Sequence, residues 1–395
     1  MFKTPFLSQF YYNPEIIKMS GDDVAALDME LAKYEKIFLD PDLSKSLISK
    51  NELFVSFAIS KAENSLLTLT EAQEVHNLLL SNSEYDFIGN KLKNKVRLTQ
   101  KDHDKLEFFN IAKTFRLLNQ SIFDITKLNR EFILDVHKRL TIGMDIFTEY
   151  LTDFTPYKPG RWRDNNLIEV GSFVPAPHDQ IIEGVDELVL WLKNNRNPMG
   201  VAVFHSAMYA LHPFNNGNKR VCRILEHILM RSVGLNSRNL YSESYYYHTE
   251  KARYYKYLFY ALEHLNFNHF VSFVMEAMSV SIVSVLKTAI EVERLKFLDK
   301  QDLDLSVKSI VKPLVKNRSL QFKNLLRINR NKVSKQTLVS YLQKAVEMEI
   351  ITKLVEGRNV FYSLNLDIPE ILTLVKWMKI VKSKLSYMPD DLKIY

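Results

Sequence analysis

His212–Arg223 reads HPFNNGNKRVCR and is the stretch that decides the fold of this 395-residue chain. A strongly apolar run, Val201–Leu211, precedes it and predicts a buried helix that ends at the histidine. The segment that begins at Gly217 then predicts the start of a second helix. Backbone N–H groups at such a helix start gather around an anion, so the stretch predicts a phosphate-binding loop.

The side chains of this stretch add chemistry to the predicted loop. Arg220 and Arg223 are three residues apart and therefore share one face of the new helix. Their guanidinium groups can each bind two oxygens of a polyphosphate. His212, at the end of the preceding helix, is placed to take a proton from an attacking hydroxyl. The pattern predicts a phosphate site with a base poised beside it.

These residues resemble the signature of the Fic family, His-x-Phe-x-Asp/Glu-Gly-Asn-Gly/Lys-Arg-x-x-Arg. The resemblance implies a mostly α-helical Fic core with a small β-hairpin flap, and a phosphate site that includes Lys219. The positions that match are His212, Phe214, Gly217, Asn218, Lys219, Arg220 and Arg223.

The family usually transfers AMP from ATP to a Ser, Thr or Tyr hydroxyl of a target protein. The resemblance implies a role for each matched residue of the loop. His212 would be the base, Phe214 would pack beneath the loop, Gly217 and Asn218 would hold the α-phosphate, and Arg220 and Arg223 the outer phosphates.

Two further segments resemble parts of the family's site. Leu167–Val174, in a proline- and glycine-containing stretch, would be the flap that pins the target by strand pairing. Leu240–Leu258 resembles the segment that supports the adenine, with Tyr254 and Tyr255 in the matching places. Tyrosines at such spacing are also common in a protein core, so both interpretations stay open.

Two positions of the loop depart from the usual signature. Asn216 replaces the acidic metal ligand, and its amide oxygen can ligate Mg²⁺ without supplying negative charge. Lys219 stands where most AMP-transferring members have glycine, and a lysine occurs there in the Doc toxin, which phosphorylates. Arg223 is retained by the AMP-transferring branch. AMP transfer from ATP with Mg²⁺ is the leading prediction, and phosphoryl transfer is the alternative.

A second resemblance predicts auto-inhibition. Many family members carry an inhibitory helix that reads Ser/Thr-x-x-x-Glu-Gly/Asn, whose glutamate pairs with the last arginine of the signature. The segment 59–64 places Glu63 and Asn64 in register, with Ser60 beside the expected hydroxyl position. We expect Glu63 to occupy the place of a nucleotide phosphate on Arg223. The alternative is an ordinary exposed glutamate on a helix.

The rest of the chain predicts a mostly helical protein of more than one domain. Ten glycines and 12 prolines are few for this length and favour helices over a many-stranded sandwich. The predicted parts are an N-terminal helical region over 1–100, a Fic core over 101–295 and a winged helix-turn-helix domain over 300–395. Phe270–Ile290 is long and apolar, but its charged and serine residues favour a buried helix over a membrane span.

The C-terminal part differs in charge and in its elements. Residues 301–395 carry 17 Lys and Arg against nine Asp and Glu, a net charge of +8, whereas the whole chain carries +7. Two short helices, Ser319–Ile328 and Ser334–Val346, precede two β-rich runs, Ile350–Leu354 and Val360–Leu364. This order is typical of a winged helix.

Such a domain binds DNA or serves protein interaction. The candidate DNA contacts are Lys335, Gln336, Ser340 and Lys344 on the second helix and Arg358 on the wing.

Three functional hypotheses follow from the sequence. The first is a self-inhibited protein adenylyltransferase. The second is a phosphotransferase or a de-AMPylating enzyme in which Glu63 orients water. The third is a nucleotide-sensing, DNA-binding regulator whose site is weakened at Asn216.

A single cysteine, Cys222, excludes an internal disulfide and favours the cytoplasm, with no membrane partner. The oligomeric state is open between a monomer and a homodimer.

Overall fold

The computed structural model describes residues 2–34, 41–62, 64–81, 86–152, 154–385 and 387. The chain is mostly α-helical, and the described residues contain one small antiparallel sheet. The predicted helical class is therefore confirmed. Two compact units are present, Met1–Ser281 and Ile282–Tyr395. The boundary between them lies inside the predicted core 101–295, and the three-part division stays a prediction.

Capping side chains mark where several helices of the first unit begin. Ser20 and Asp23 form a capping box at the first helix, and Thr99 and Asp102 form another at the helix that starts at Gln100. The helices that begin in this unit are α1 (Gly21–Lys33), α2 (Pro41–Lys61), α3 (Leu69–Ser81), α4 (Phe87–Lys93), α5 (Gln100–Leu118), α6 (Arg130–Thr141), α7 (Ile181–Asn194), α8 (Pro198–Leu211), α9 (Asn218–Ser232), α10 (Glu243–Thr249), α11 (Lys251–Glu263) and α12 (Asn268–Asp299).

Helix α8 is the centre of the first unit's core. Every residue from Val201 to Leu211 is buried, and the helix packs between α7 and α9. A helix that is apolar on all sides has no solvent-facing stripe and must lie inside the fold. The loop that follows α8 is therefore anchored to the most buried element of the unit.

Helix α12 contains the apolar stretch Phe270–Ile290. By length and composition the helix could cross a membrane, yet 83% of its most apolar window is buried inside the protein. A core helix of a water-exposed fold passes the same compositional test. The burial agrees with the predicted buried helix.

The N-terminal helices differ from the sequence prediction in their bounds. The sequence of Leu53–Leu67 predicts a helical segment, and residues 53–61 of it belong to the longer α2, which begins at Pro41 and ends at Lys61. Proline is tolerated in the first turn of a helix, where its missing N–H would have no partner. The sequence Asp40-Pro41-Asp42 predicts a helix stop, but Pro41 begins α2 instead. The apolar spacing of Asp22–Leu39 predicts another helix, and residues 35–39 of this range lie outside the described residues.

The second unit holds the small sheet. Its strands follow the order β1-β3-β2, with Leu320 opposite Tyr362 and Ile351 opposite Leu364. The predicted sequence of helix, helix and hairpin is present with shifted ends. The elements are α13 (Leu305–Val311), α14 (Pro313–Lys316), β1 (Leu320–Gln321), α15 (Phe322–Asn329), α16 (Lys335–Glu347), β2 (Ile351–Glu356), β3 (Asn359–Leu364) and α17 (Glu370–Lys384).

Candidate functional site

The loop between α8 and α9 is bounded by two residues in the left-handed region. His212 caps the end of α8 with φ 48° and ψ 59°, and Gly217 caps the start of α9 with φ 85°. Only glycine adopts this conformation without steric cost. A Cβ at Gly217 would also lie 3.4 Å from Thr141 and 3.5 Å from His137. The glycine is therefore required both by the backbone and by the close approach of α6.

Phe214 anchors the loop from below. Its side chain is fully buried, with the ring of His137 stacked on one side at 3.8 Å and Trp162 stacked on it at 5.0 Å. Asn218 holds the same residue through its backbone: the Phe214 N–H donates to Asn218 Oδ1 at 3.0 Å, and Asn218 Nδ2 donates to the Phe214 carbonyl at 2.7 Å. The Asn218 side chain therefore shapes the loop and does not face a phosphate.

His137 is a neutral support of the loop. Its Nε2 lies 3.1 Å from the Asn216 carbonyl, and its Nδ1 lies 3.0 Å from the Gly160 N–H. The carbonyl accepts and the N–H donates, so Nε2 carries the proton and Nδ1 is the acceptor. Burial, with a smaller contribution from the Arg220 charge, lowers the pKa of His137 to about 4. The ring therefore stays uncharged at neutral pH.

Arg163 ties the candidate flap to the loop. This buried side chain donates to the His212 carbonyl from Nε at 2.7 Å and to the Leu211 carbonyl from Nη2 at 3.3 Å. Nη1 donates to the Asn165 carbonyl at 2.6 Å, and Nη2 also donates to the Ala176 carbonyl. Asn165 and Ala176 flank the segment 167–174. One guanidinium thus joins both ends of that segment to the backbone of His212.

The segment Leu167–Val174 is a tight turn with a single bridge. Val170 and Phe173 exchange backbone hydrogen bonds around Gly171, which has φ 64°. Both bridging side chains are largely buried, whereas Leu167 and Val174 are 89% and 67% exposed. The predicted hairpin is therefore shorter than a two-stranded ribbon.

His212 is half-buried at the end of α8. Its Nδ1 lies 3.4 Å from the Tyr209 carbonyl, which can only accept a hydrogen bond. This contact favours the tautomer with the proton on Nδ1 and leaves Nε2 as the basic nitrogen. The geometry is that of a general base whose ring is oriented by the helix that precedes it.

Arg220 is buried and engaged inside the protein. Its Nη1 lies 3.1 Å from Glu107 on α5 and donates to the Tyr157 hydroxyl at 3.1 Å. Its Nη2 donates to Asn216 Oδ1 at 3.0 Å. A buried guanidinium that is paired in this way is a fixed part of the loop's support. Its predicted contact with an outer phosphate requires these bonds to change.

Asn216 does not offer an oxygen to a divalent cation in this arrangement. Its Oδ1 accepts from the Gly217 N–H at 2.8 Å and from Arg220, so both lone-pair directions are used. A cation at that oxygen would also lie beside the Arg220 guanidinium. Within the described residues no group of three or more His, Cys, Asp and Glu could hold a metal. The predicted magnesium ligand therefore does not fit this geometry.

Arg223 lies fully buried between aromatic rings and the end of α2. Its guanidinium carbon is 4.3 Å from the ring centre of Tyr254 and 5.4 Å from that of Tyr247. Nη1 donates to the Ala58 carbonyl of α2 at 3.2 Å. Tyr254 is itself fully buried, and its hydroxyl lies 3.4 Å from Nε2 of His205. Tyr254 therefore belongs to the core beneath Arg223.

Two buried carboxylates lie beneath Arg223 on α9 and α10. Glu226 Oε2 is 2.9 Å from Nδ1 of His205, and both side chains are fully buried. Burial raises the pKa of Glu243 to about 8, and the nearby Glu226 charge adds to the effect. Arg223 is the nearby cation whose positive charge offsets the negative charge of these two carboxylates.

The last turn of α2 faces the cations of the site. Lys251 donates to the Lys61 carbonyl at 3.2 Å and to Asn64 Oδ1 at 3.0 Å. The hydroxyl of Tyr255 donates to the Ala62 carbonyl. The unpaired carbonyls of a helix C-terminus carry partial negative charge, which explains why donors gather there.

Lys219 and Tyr255 complete this side of the site. Lys219 Nζ lies 5.3 Å from the ring centre of Tyr255, and both residues are half-buried. Ser60 is buried and donates to the Phe57 carbonyl at 3.0 Å, so its hydroxyl is used within α2. Glu63 lies outside the described residues. The structure thus brings Ala58 of α2 to Arg223, and it brings Ala62 and Asn64, on either side of Glu63, to Tyr255 and Lys251 of α11.

Several supporting residues were missed in the sequence. Arg163 and His137 lie far from the loop in the sequence, and neither belongs to the quoted signature. Glu107 is one of several polar residues on its helix, and no sequence pattern distinguishes it as the partner of Arg220. The only sequence signal was that Trp162 and Arg163 stand in an irregular stretch between helices, where polar and aromatic residues serve function more often than packing.

The fold and the loop define a mostly helical protein in which a histidine-containing loop joins a core helix to a glycine-capped helix start. Residues 127–230 match the model of the Fic/DOC family. Residues 127–230 therefore form a Fic/DOC-type domain within the chain.

The relatives are distant. Two proteins named protein adenylyltransferase fic-1, from Caenorhabditis briggsae and Caenorhabditis elegans, are each 26% identical over 136 residues, which cover 32% of this chain and 24% of theirs. The match spans about a quarter of the length of these curated relatives.

One solved structure supports the fold. A Fic family protein from Desulfovibrio desulfuricans G20 is 19% identical with a TM-score of 0.51, over 91% of this chain and 99% of that chain. Fic-1 from C. elegans is also 19% identical, with a TM-score of 0.46 over 71% of this chain and 73% of that one. At these identities the first structure supports the fold alone.

Proposed function

We propose that this protein is a Fic-type adenylyltransferase that transfers AMP from ATP to a Ser, Thr or Tyr hydroxyl of a target protein in the cytoplasm. The observation that carries the proposal is the position of His212, which lies at the end of a core helix and directly before a glycine-capped helix start. The Fic family match and the distant fic-1 relatives support the same reaction class.

In the proposed reaction the target hydroxyl oxygen attacks the α-phosphorus of ATP. The bond from that phosphorus to the bridging oxygen breaks, pyrophosphate leaves, and the hydroxyl proton passes to Nε2 of His212. The α-phosphate would lie against the backbone N–H groups at the start of α9, where the helix dipole favours negative charge. Lys219, the least buried cation of the loop, would compensate the phosphate charge.

Magnesium would enter as the counter-ion of the ATP phosphates. Asn216 Oδ1 already accepts hydrogen bonds from the Gly217 N–H and from Arg220, so in this arrangement it is not available as a ligand for Mg²⁺. Mg²⁺ commonly keeps its contacts to phosphate oxygens and waters and uses only one or two protein groups. We therefore expect the affinity of the free protein for Mg²⁺ to be low.

The exposed segment Leu167–Val174 would receive the target. Leu167 and Val174 present apolar side chains to solvent, and backbone groups on either side of the Val170–Phe173 bridge could pair with an extended peptide. The carbonyl contacts of Arg163 fix the distance from this segment to His212. The target hydroxyl would therefore be delivered close to the base.

We further propose that Glu63 keeps the site closed by pairing with Arg223. Support comes from the neighbours of Glu63 in the chain. Ala58 already accepts a hydrogen bond from Arg223, and Asn64 accepts one from Lys251. In this state Arg223 is turned towards α2, and release of the α2 end would free its guanidinium for the outer phosphates.

The alternative reactions use the same loop. Phosphoryl transfer would place the γ-phosphate of ATP at the start of α9, and Lys219 is the residue that favours it. A de-AMPylating enzyme would use Glu63 to orient water. ATP labelled in its α-phosphate distinguishes AMP transfer from phosphoryl transfer. AMP transfer moves this label to the protein, whereas phosphoryl transfer moves only a label in the γ-phosphate.

DNA binding by the second unit is a second candidate function. Lys335, Gln336 and Ser340 are exposed on one face of α16, and Arg358 is exposed at the turn between β2 and β3. Lys344 lies on the same face but is paired with Asp304 at 2.5 Å. We expect binding of duplex DNA to weaken with salt and with Lys335→Glu but not with Lys256→Glu. Equal DNA binding by Lys335→Glu and Lys256→Glu would contradict the proposal that this face of α16 binds DNA.

A further inference from the structure

A surface cavity lies between α5 and α6, outside the loop that carries His212. Its volume is about 500 Å³, and α3 contributes Leu79 to its wall. Cavities of roughly 300–1,000 Å³ are the size that binds small molecules in proteins. The cavity is therefore large enough for an organic ligand.

The lining is apolar with a small polar patch. Leu79, Leu117 and Ile142 form apolar walls, and Leu117 and Ile142 remain 41% and 56% exposed. Asn110 and Thr114 are 4% and 2% exposed and lie on the same lining. Asn110 Nδ2 donates to the Ile142 carbonyl at 2.9 Å. Among the described residues, neither Asn110 Oδ1 nor the Thr114 hydroxyl has a hydrogen-bond partner.

The rim of the cavity is basic. Lys113, Arg116, Lys138 and Arg139 are exposed around it, and Asp135, which pairs with Arg139 at 2.7 Å, is the acidic residue of the lining. Four cations at the mouth of an apolar cavity concentrate anions there, because the low-dielectric walls focus their field. The first 300 residues as a whole carry no such excess of positive charge.

We propose that this cavity binds a small amphipathic anion, with an apolar body against Leu117 and Ile142 and a carboxylate, sulfonate or phosphate group at the basic rim. The apolar walls match the body of such a ligand, and Thr114 and Asn110 supply polar contacts that fix its orientation.

The two helices that form the cavity also support the loop. Glu107 on α5 pairs with Arg220, and His137 on α6 bonds to the Asn216 carbonyl. Glu107, Asn110 and Thr114 are spaced so that they lie on one face of α5. A ligand in the cavity would therefore contact helices that hold the loop. The binding itself is independent of the proposed transferase reaction, and its test needs no activity.

The test uses anilinonaphthalene sulfonate, a fluorescent anion with an apolar body, titrated into the full chain at neutral pH and low salt. We expect one saturable site per chain. The uncharged analogue phenylnaphthylamine should bind roughly tenfold more weakly, since it lacks the group that meets the rim. Absence of saturable binding of the sulfonate, or equal affinity for both probes, would overturn the proposal.

Variants locate the site. Leu117→Trp places a large side chain in the cavity and should abolish binding, whereas Leu190→Trp alters a residue that is 62% exposed on α7 and should not. Lys138→Glu should weaken binding roughly tenfold, and Lys256→Glu on α11 should leave it unchanged. Circular dichroism would verify that each variant is folded. If Leu117→Trp and Leu190→Trp bind the probe equally, the site lies elsewhere.

Discussion

Arg223 donates a hydrogen bond to the carbonyl of Ala58 at 3.2 Å, although 165 residues separate them in the chain. The contact joins the last arginine of the loop to the end of α2, which Glu63 follows. Arg223 is fully buried in this arrangement. Under the proposed auto-inhibition, the guanidinium would become available to a nucleotide only when the end of α2 moves.

Replacement of Glu63 tests the proposed auto-inhibition. Glu63→Gly should raise self-labelling by ATP roughly tenfold, since the proposed charge-assisted bond to Arg223 could no longer form. Part of the inhibition should remain because the Ala58 carbonyl still accepts from Arg223. Glu74→Gln, an exposed glutamate on α3, is the matched control. The rate of label incorporation measures the effect, and equal rates for wild type and Glu63→Gly would contradict it.

Arg163→Lys tests the link between the flap and His212. Lysine keeps the charge but cannot span the carbonyls of His212, Leu211 and Asn165, so the free energy of unfolding should fall by about 2 kcal/mol. The KM for the protein target should rise more than the KM for ATP. Arg161→Lys, at an exposed position two residues away, should change neither.

Urea unfolding and steady-state kinetics measure these effects. A proportional loss of activity with no change in the two KM values would mean that Arg163 contributes stability alone.

Asn216→Asp tests the magnesium geometry. A carboxylate supplies the negative charge that the amide lacks and has lone pairs beyond those used by Gly217 and Arg220. The Mg²⁺ concentration for half-maximal activity should fall by about tenfold. Asn215→Asp adds the same charge one residue earlier as the control. An identical Mg²⁺ dependence in all three proteins would show that position 216 is not near the cation.

The low pKa of His137 predicts acid sensitivity. The ring has a pKa of about 4 in the folded chain, below its ordinary value of 6.5, so the unfolded chain binds more protons between these pH values. Stability should therefore fall as the pH drops from 6.5 to 4, by roughly 3 kcal/mol at most. His137→Gln should flatten this slope, and His269→Gln, at an exposed position, should not. Denaturant titrations at several pH values across this range measure the pH dependence of the free energy of unfolding. The same pH dependence in wild type and His137→Gln would contradict the prediction.

The helical class and the loop could be predicted because both depend on local sequence. The apolar period of Val201–Leu211 and the glycine before the next helix are short-range signals. The partners of the loop could not be predicted, because Arg163, His137 and Glu107 reach it only through tertiary packing. Nothing in the spacing of Arg220 and Arg223 indicates that both guanidinium groups are buried and engaged.

The extent of α2 was mispredicted for a related reason. Pro41 was interpreted as a helix stop, although proline also fits the first turn. The end of the helix at Lys61 depends on Asn64, which has φ 62°, and on the donors Lys251 and Tyr255. These donors come from α11, and no local pattern reveals them.

The central claim is tested most directly by the intact mass of the purified chain after incubation with Mg-ATP. The account predicts an added AMP group in Glu63→Gly, less of it in wild type, and none in the Glu63→Gly chain that also carries His212→Ala. An added phosphate alone would assign phosphoryl transfer instead. No added mass in Glu63→Gly, or AMP that persists without His212, would contradict the proposed reaction.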